Sequence, residues 1–127
     1  MIERITPPGA PAPLGPYSPA MRAGDYIFVS GQAPMNAATN QVIEGDIRDQ
    51  TRLVLSNLRN ILQACGAELS DVVKCSVFLE SIQDFAAMNE VYREFFGASK
   101  PARTTVQAVL PLPGIKVEVD CIAYKPR

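Results

Sequence analysis

The arginine at position 103 can present a rigid pair of hydrogen-bond donors to an acidic ligand. Arg103 follows Pro101 and Ala102 and begins a β-branched segment, so a stiff backbone carries its side chain. A planar guanidinium matches a carboxylate with two parallel hydrogen bonds. Two interpretations follow from the residues: a carboxylate-binding group, or an arginine that is solvated or held in a structural ion pair.

Further polar side chains could complete a site around this arginine. By strand parity Thr105 shares a face with Arg103. Glu118 lies on the polar face of the last apolar-alternating segment, where a carboxylate can orient or deprotonate water. Tyr17, between prolines, offers an aromatic wall and a hydroxyl. Each also has an ordinary interpretation, as an exposed strand residue or as simple packing.

Ser30 and Asn89 are weaker candidates of the same kind. Ser30 ends a strand beside Gly31, which permits close approach of another group to the backbone. Asn89 falls four residues after Phe85, on or beside an apolar helical stripe, where a buried amide must find partners. Structural bracing and ligand contact explain Asn89 equally well.

The composition excludes several kinds of chemistry and partner. The 127 residues include no histidine, which excludes Ser-His-Asp and Cys-His catalysis. The 12 Lys and Arg residues nearly balance the 13 Asp and Glu residues, so there is no basic footprint for nucleic acid. Neither a zinc-ligand pattern nor a glycine-rich phosphate loop occurs. We expect no metal, no cofactor and no nucleic-acid partner.

Compartment is indicated by the cysteines and by the N-terminus. Cys65, Cys75 and Cys121 occupy apolar-patterned positions, as small buried hydrophobes do in a reducing compartment. The first residues lack the apolar core of a signal peptide, and no apolar run approaches the ~18 residues of a membrane span. We therefore expect a cytoplasmic protein with no membrane partner.

The apolar spacing predicts two helices, over Ile47–Cys65 and Ile82–Phe96. Their capping residues are Asp46 and Gly66 for the first helix, and Ser81 and Gly97 for the second. The second helix carries an apolar stripe formed by Phe85, Met88, Tyr92, Phe95 and Phe96.

Period-two alternation predicts four strands, over Asp25–Pro34, Val72–Leu79, Arg103–Val109 and Lys116–Tyr124. The predicted core-facing residues are Val73, Cys75, Val77 and Leu79 in the second of these strands, and Val117, Val119, Cys121 and Ala123 in the last. Residues 7–19 predict an irregular lead-in and residues 35–45 a polar connection. The short link 111–114 suggests that the last two strands are neighbours, which would bring Glu118 close to Arg103.

Strands that alternate with helices predict one α+β domain over residues 1–127, with two helices on one face of a mixed sheet. By parity the opposite face keeps apolar side chains, namely Tyr26, Phe28, Phe78 and Ile122. A domain of this size would gain stability by covering that face through self-association.

Five segments of the chain together resemble the Rid family (YjgF-type, RidA-like). They are Gly15–Ala20, Val29–Gln32, Phe85–Asn89, Pro101–Val106 and Lys116–Val119, in the family's order and spacing from end to end. The resemblance implies a chorismate-mutase-like, YjgF-type α+β fold and a homotrimer with pockets at its subunit interfaces. It also implies a hydrolase without a cofactor, an enamine/imine deaminase acting on 2-imino acids.

By the same resemblance, Arg103 and Glu118 are the catalytic residues. Arg103 holds the substrate carboxylate and Glu118 positions the water. The corresponding substrate-binding residues are Tyr17, Ser30, Asn89, Arg103 and Thr105, some of them reached across the interface. Many deaminating members have a cysteine where this chain has Thr105, a difference that bears on the substrate range.

The leading hypothesis is hydrolysis of 2-iminobutanoate and 2-iminopropanoate to 2-keto acids and ammonia. Thr105 keeps open another enamine substrate, of aminomuconate or aminoacrylate type. A trimer that binds small carboxylates for regulation, without catalysis, is the alternative from another class. RNA cleavage or holdase activity is poorly supported because the chain has no basic stripe.

Overall fold

The computed structural model describes all 127 residues and contains a six-stranded sheet with two helices on one face. The helices are α1 (Ile47–Ala64) and α2 (Phe85–Phe96). The strands are β1 (Ile2–Ile5), β2 (Ala20–Ala23), β3 (Tyr26–Gln32), β4 (Met35–Asn36), β5 (Gln41–Val42), β6 (Val72–Leu79), β7 (Ala102–Gln107) and β8 (Val117–Tyr124). Short 3₁₀ helices, Leu69–Asp71 and Ile82–Asp84, precede β6 and α2. The predicted α+β class is confirmed.

The sheet has the order β1-β2-β3-β8-β6-β7, and β4 and β5 form a separate hairpin. All neighbouring strands are antiparallel except β6 and β7, which are parallel and joined through α2. A parallel pair requires such a crossover connection. Because β6 lies between β7 and β8, the prediction that the last two strands are neighbours is wrong.

The core fills the space between the sheet and the two helices. On β8 the alternation is as predicted, and its four inward side chains are at most 2% exposed. Isoleucine and leucine side chains of α1 pack against them because apolar residues recur along one face of that helix. The largest fully buried apolar residues are Phe96, Ile27, Leu55, Leu58, Ile61, Leu62, Leu79, Met88 and Ile115.

The helix ends follow the predicted capping residues. Asp46 accepts a hydrogen bond of 2.9 Å from the Asp49 N–H at the start of α1. Gly66 adopts a φ of +81° just beyond its end, a conformation that favours glycine. Ser81 caps the 3₁₀ turn that leads into α2, so the second helix begins later than predicted. Within the predicted apolar stripe of this helix, Met88, Tyr92 and Phe96 are buried, whereas Phe85 is 40% exposed.

One strand residue faces the opposite side from its prediction. The register between β6 and β8 shifts between Val72 and Lys74. Such an irregularity reverses the alternation locally. Val72 is therefore buried and Val73 is 44% exposed, so the predicted core position of Val73 is wrong.

Four strands were not predicted because each is only two or four residues long. The edge strand β1 pairs with β2 on either side of the irregular residues 7–19, which contain no strand, as predicted. The hairpin β4–β5 lies within the predicted polar connection. Short strands carry too few alternations to stand out in a sequence.

The sheet face opposite the helices exposes apolar side chains, as predicted. Tyr26 is 45% and Phe28 42% exposed, while Phe78 and Ile122 are half-buried. Val73, Val106 and Tyr124 add further exposed apolar surface to the chain. No helix has the length and apolar character needed to cross a membrane.

Candidate functional site

Arg103 extends from β7, the strand at one edge of the sheet, toward helix α2. Its register partner on β6 is Cys75, which faces the buried side of the sheet. The Arg103 Cζ lies 4.6 Å from the centroid of the Tyr92 ring and 5.7 Å from that of Phe85. Two aromatic side chains of α2 therefore hold the half-buried guanidinium by cation–π contact.

The guanidinium of Arg103 has no ion-pair or hydrogen-bond partner within its chain. The arginines that do form ion pairs are Arg48, Arg52 and Arg127, each with a glutamate. Since the donors of Arg103 are oriented but unused, its interpretation as a structural ion pair is wrong within the single chain. They are free to bind an acidic group.

A cavity of about 380 Å³ opens beside this guanidinium, and Asn89 and Tyr92 line it. Two buried oxygens in this region, Asn89 Oδ1 and Thr105 Oγ1, have no hydrogen-bond partner. The Tyr92 hydroxyl has only the weak thiol of Cys75 as a partner. Burial raises the pKa of the Tyr92 hydroxyl, which keeps it protonated. Unsatisfied buried polar atoms are uncommon in folded proteins. Their grouping near Arg103 marks this region as a place for a ligand or ordered water.

A second group of candidate residues lines a cleft of about 610 Å³ on the opposite face of the sheet. Glu118 points there because its cross-strand partner is Phe78, on the outer face. Tyr17 and Ser30 line the same cleft. The structure therefore brings Tyr17, Ser30 and Glu118 together.

A β-bulge in β3 shapes this cleft. Between the pairs Val29–Cys121 and Gln32–Val119, two residues of β3 face a single residue of β8. Bulges of this kind redirect side chains and recur next to functional sites. A Cβ on Gly31 would lie 3.0 Å from the Glu118 carboxyl carbon, so the glycine makes room for the carboxylate.

Hydrogen bonds of Ser30 and Tyr17 hold the proline-rich segment as a wall of the cleft. The Ser30 hydroxyl donates to the Ser18 carbonyl oxygen at 2.6 Å, and the Ser30 N–H donates to Pro19 at 3.0 Å. The Tyr17 hydroxyl accepts from the Leu14 N–H at 3.2 Å. Both side chains thus fix the loop, and the Tyr17 side chain stays half-exposed to the cleft.

Glu118 is a half-buried carboxylate that receives no hydrogen bond from its own chain. Burial raises its pKa above the usual range for a glutamate, and the negative charge of Asp120 raises it further. Asp120 lies two residues along the same strand face and lines the same cleft. A carboxyl group shifted in this direction can accept and return protons more readily near neutral pH.

The predicted site residues thus form two separate half-sites in one chain. The cavity beside Arg103 contains no carboxylate, whereas the cleft beside Glu118 contains no lysine or arginine. Strand β6 separates the two strands that carry these residues, and their side chains leave opposite faces of the sheet. The expectation that Glu118 and Arg103 meet within one chain is wrong.

Two residues of these half-sites have roles that the sequence did not reveal, Tyr92 and Asp120. The close approach predicted at Gly31 is made by the Glu118 carboxylate. Tyr92 follows Asn89 by three residues, a spacing that puts both on one helix face. Asp120 follows Glu118 by two residues, a spacing that puts both on one strand face. From these spacings the sequence could have indicated that Tyr92 and Asp120 accompany Asn89 and Glu118. No group of three or more His, Cys, Asp or Glu residues is arranged to hold a metal ion.

The fold and the half-sites define a class of small α+β proteins that offer an unpaired arginine and an isolated carboxylate to a ligand. A family model described as Endoribonuclease L-PSP matches residues 8–125. The chain therefore belongs to this family, which is the YjgF/Rid family. The sequence resemblance to the Rid family is confirmed.

Several relatives match nearly the whole chain. A RutC family protein of Pyrococcus horikoshii is 48% identical over 125 residues, covering 98% of this chain and 99% of that one. A 2-iminobutanoate/2-iminopropanoate deaminase of Dermatophagoides farinae is 43% identical, covering 93% of this chain and 92% of that one. The structure of E. coli TdcF with bound serine superposes with a TM-score of 0.89 at 35% identity, covering 96% and 98%.

Proposed function

We propose that this chain is an enamine/imine deaminase that hydrolyses 2-iminobutanoate and 2-iminopropanoate to 2-keto acids and ammonia. In this proposal Arg103 holds the substrate carboxylate, and Glu118 of a neighbouring copy positions the attacking water and accepts its proton. The observation that carries the proposal is the unpaired guanidinium of Arg103, stacked at 4.6 Å on Tyr92. The name of the deaminase from Dermatophagoides farinae gives independent support.

The charges of the two half-sites match those of the substrate. A protonated 2-imino acid carries a negative carboxylate and, on the adjacent carbon, a positive iminium nitrogen. The carboxylate suits Arg103 and the iminium suits the cleft that holds Glu118 and Asp120. A substrate bound between the half-sites is therefore oriented by its own charges.

The hydrolysis needs little beyond orientation and proton transfer. Water attacks the iminium carbon while the Glu118 carboxylate takes a proton from that water, and the product of this step is a carbinolamine. Glu118 then returns the proton to the amino group. As the C–N bond breaks, Glu118 takes up the hydroxyl proton, so that the keto group forms, ammonia leaves and the proton passes to solvent. Positioning of substrate and water can lower such a barrier by up to about 11 kcal/mol.

The two half-sites meet only if copies of the chain associate, and we propose a homotrimer in the cytoplasm. The Arg103 half-site lies at the β7 edge and the Glu118 half-site on the outer sheet face, so the contact joins two different surfaces. Heterologous contacts close into a ring when the rotation between copies is a whole fraction of a turn, which is one third of a turn in a trimer. The exposed apolar side chains of Tyr26 and Phe28 would be covered by the same association. The three free cysteines suit a reducing compartment.

A coupled assay tests the deaminase proposal directly. A threonine dehydratase generates the imine in the presence of semicarbazide, which traps whatever imine is still unhydrolysed. The purified wild-type chain should suppress semicarbazone formation in proportion to its concentration. Suppression no greater than that of heat-treated protein would exclude deaminase activity on this substrate. A parallel incubation of the purified chain with RNA, followed for RNA cleavage, tests the endoribonuclease activity that the family description names.

Subunit complementation tests whether Arg103 and Glu118 come from different copies. Arg103→Ala and Glu118→Gln should each be inactive, yet a co-expressed equal mixture should regain activity. Random association restores both groups at about one quarter of the interfaces of a closed ring. Native mass spectrometry should give about three times the chain mass of 13.8 kDa. A mixture as inactive as its parents would place both groups in one copy.

The substitution Gly31→Ala should lower kcat/KM because the new Cβ would lie 3.0 Å from the Glu118 carboxyl carbon. We expect a loss of about tenfold, the effect of moving a reacting group by a fraction of an ångström. Gly15→Ala is the matched control, since its Cβ would meet only the Tyr17 ring at 3.6 Å. Equal activity of the two variants would show that Glu118 does not need this close approach.

A further inference from the structure

The cavity beside Arg103 holds more positive charge than a single carboxylate requires. Besides Arg103, the lysine and arginine side chains that line it are Arg93 and Lys100, and no acidic side chain lines it. The formal net charge of the chain is −1. Three cations around one cavity in a slightly acidic protein are a local concentration of charge.

None of these three cations has an ion-pair partner. The acidic residues of α2 are Glu90 and Glu94, and both pair with α1, through Arg48 at 2.8 Å and Arg52 at 2.9 Å. Both glutamates therefore form their ion pairs on the side of α2 that faces α1. The cations of the cavity have no carboxylate of their own chain to neutralise them.

The backbone fixes the position of Lys100 in the lining of the cavity. Its φ of +46° lies in the left-handed region, which few residues other than glycine and asparagine adopt. Its N–H donates to the Phe96 carbonyl oxygen at 2.8 Å, and Pro101 follows it. A flexible side chain thus starts from a fixed point, only three residues before Arg103.

A simpler account attributes Arg93 and Lys100 to the C-terminal end of α2, where cations are favourable. That account explains an effect on helix stability but gives no role to the shared cavity. It also leaves Arg103 unexplained, since this residue belongs to a strand. The two accounts differ in what removal of a charge should change: helix stability, or the choice of ligand.

We propose that Lys100 and Arg93 bind a second acidic group of the ligand, so that the pocket accepts dicarboxylic 2-imino acids and their keto acids. Arg103 holds the carboxylate beside the imine, and the other two cations hold a terminal carboxylate at the far end of the cavity. This inference rests on the proposed function and extends the substrate range of the same site to dicarboxylic imines.

Two keto acids of equal length provide the test by binding, because they differ only at the far end. These are 2-oxoglutarate, with a terminal carboxylate, and 2-oxopentanoate, with a methyl group. The wild-type oligomer should bind 2-oxoglutarate about 100-fold more tightly in calorimetric titration, as two charge-assisted contacts would give. Lys100→Asn should lower this preference about tenfold, and asparagine tolerates the left-handed backbone.

Turnover provides a second comparison of a ligand that ends in a carboxylate with one that ends in a methyl group. The imines are generated from glutamate and norvaline by amino-acid oxidases. Lys100→Asn should lower kcat/KM for the glutamate-derived imine about tenfold and change that for the norvaline-derived imine less than about twofold. Arg52→Gln, which removes one charge that is already paired with Glu94, is the control and should alter neither.

The outcomes separate this inference from the proposed function. Equal binding of the two keto acids by the wild type would overturn the inference, whatever the turnover. Equal losses on both ligands, or a changed oligomeric mass in Lys100→Asn, would assign Lys100 to structure and overturn it too. A binding preference that depends on Lys100, with no suppression of semicarbazone formation in the 2-iminobutanoate assay, would support the dicarboxylate site and contradict only the deaminase proposal.

Discussion

Replacing Arg103 by lysine should lower kcat/KM for 2-iminobutanoate about 100-fold, although the positive charge is kept. Charge-assisted hydrogen bonds contribute up to about 3 kcal/mol each, and each 1.4 kcal/mol is a factor of about ten in rate. Lysine offers a point charge in place of a planar fork, and it cannot stack its donors over the Tyr92 ring. The measurement is steady-state kinetics of imine loss.

The matched control is Arg59→Lys. The Arg59 guanidinium of α1 lies 5.5 Å from the ring of Phe95, which belongs to α2 as Tyr92 does. This is a comparable cation–π contact that lies outside both half-sites. We expect full activity for this variant, with at most about 1 kcal/mol lost from the free energy of unfolding. If Arg103→Lys keeps wild-type kinetics, bidentate binding of the substrate carboxylate is not part of the reaction.

The substitution Glu118→Gln should lower kcat by about 10²–10⁴-fold, the usual contribution of a general base. The amide keeps the shape of the side chain in its tight fit against Gly31 but cannot take a proton from water. Binding of a 2-keto acid product should change little, because Arg103 holds its carboxylate. A Glu118→Gln variant with unchanged kcat would leave the water without a base from this chain.

The pH dependence gives a separate test of the same carboxylate. The negative charge of Asp120 raises the pKa of Glu118, so its removal in Asp120→Asn should lower that pKa. Activity declines on the acid side as Glu118 becomes protonated. The acid limb of the pH–kcat/KM profile should therefore move to lower pH in Asp120→Asn. A limb that stays in place, or moves to higher pH, would contradict the assignment of Glu118 as base.

Local patterns in the sequence predicted the elements and the faces of this fold well. The helix α1 and the inward face of β8 follow directly from apolar periodicity, because burial of one face selects residues at fixed spacings. The capping residues Asp46 and Gly66 also act locally, on backbone groups within a few residues of them. Such features are visible in a sequence because their causes lie close together along the chain.

Features that depend on pairing between distant segments were predicted poorly. Val73 is exposed because of a register shift against β8, some fifty residues away in sequence. The insertion of β6 between β7 and β8 likewise results from long-range pairing and a crossover through α2. A short loop between two strands favours adjacency but does not impose it.

For the candidate site, the sequence determined the residue types and their motifs, and the tertiary structure decided their arrangement. Arg103 and Glu118 stand out by chemistry and by resemblance to a known family. Only the structure shows that Arg103 has no partner, that Tyr92 supports it, and that Glu118 leaves the opposite face of the sheet. The physical reason is that strand parity defines a face only relative to the same strand, whereas long-range pairing determines how the faces of different strands align.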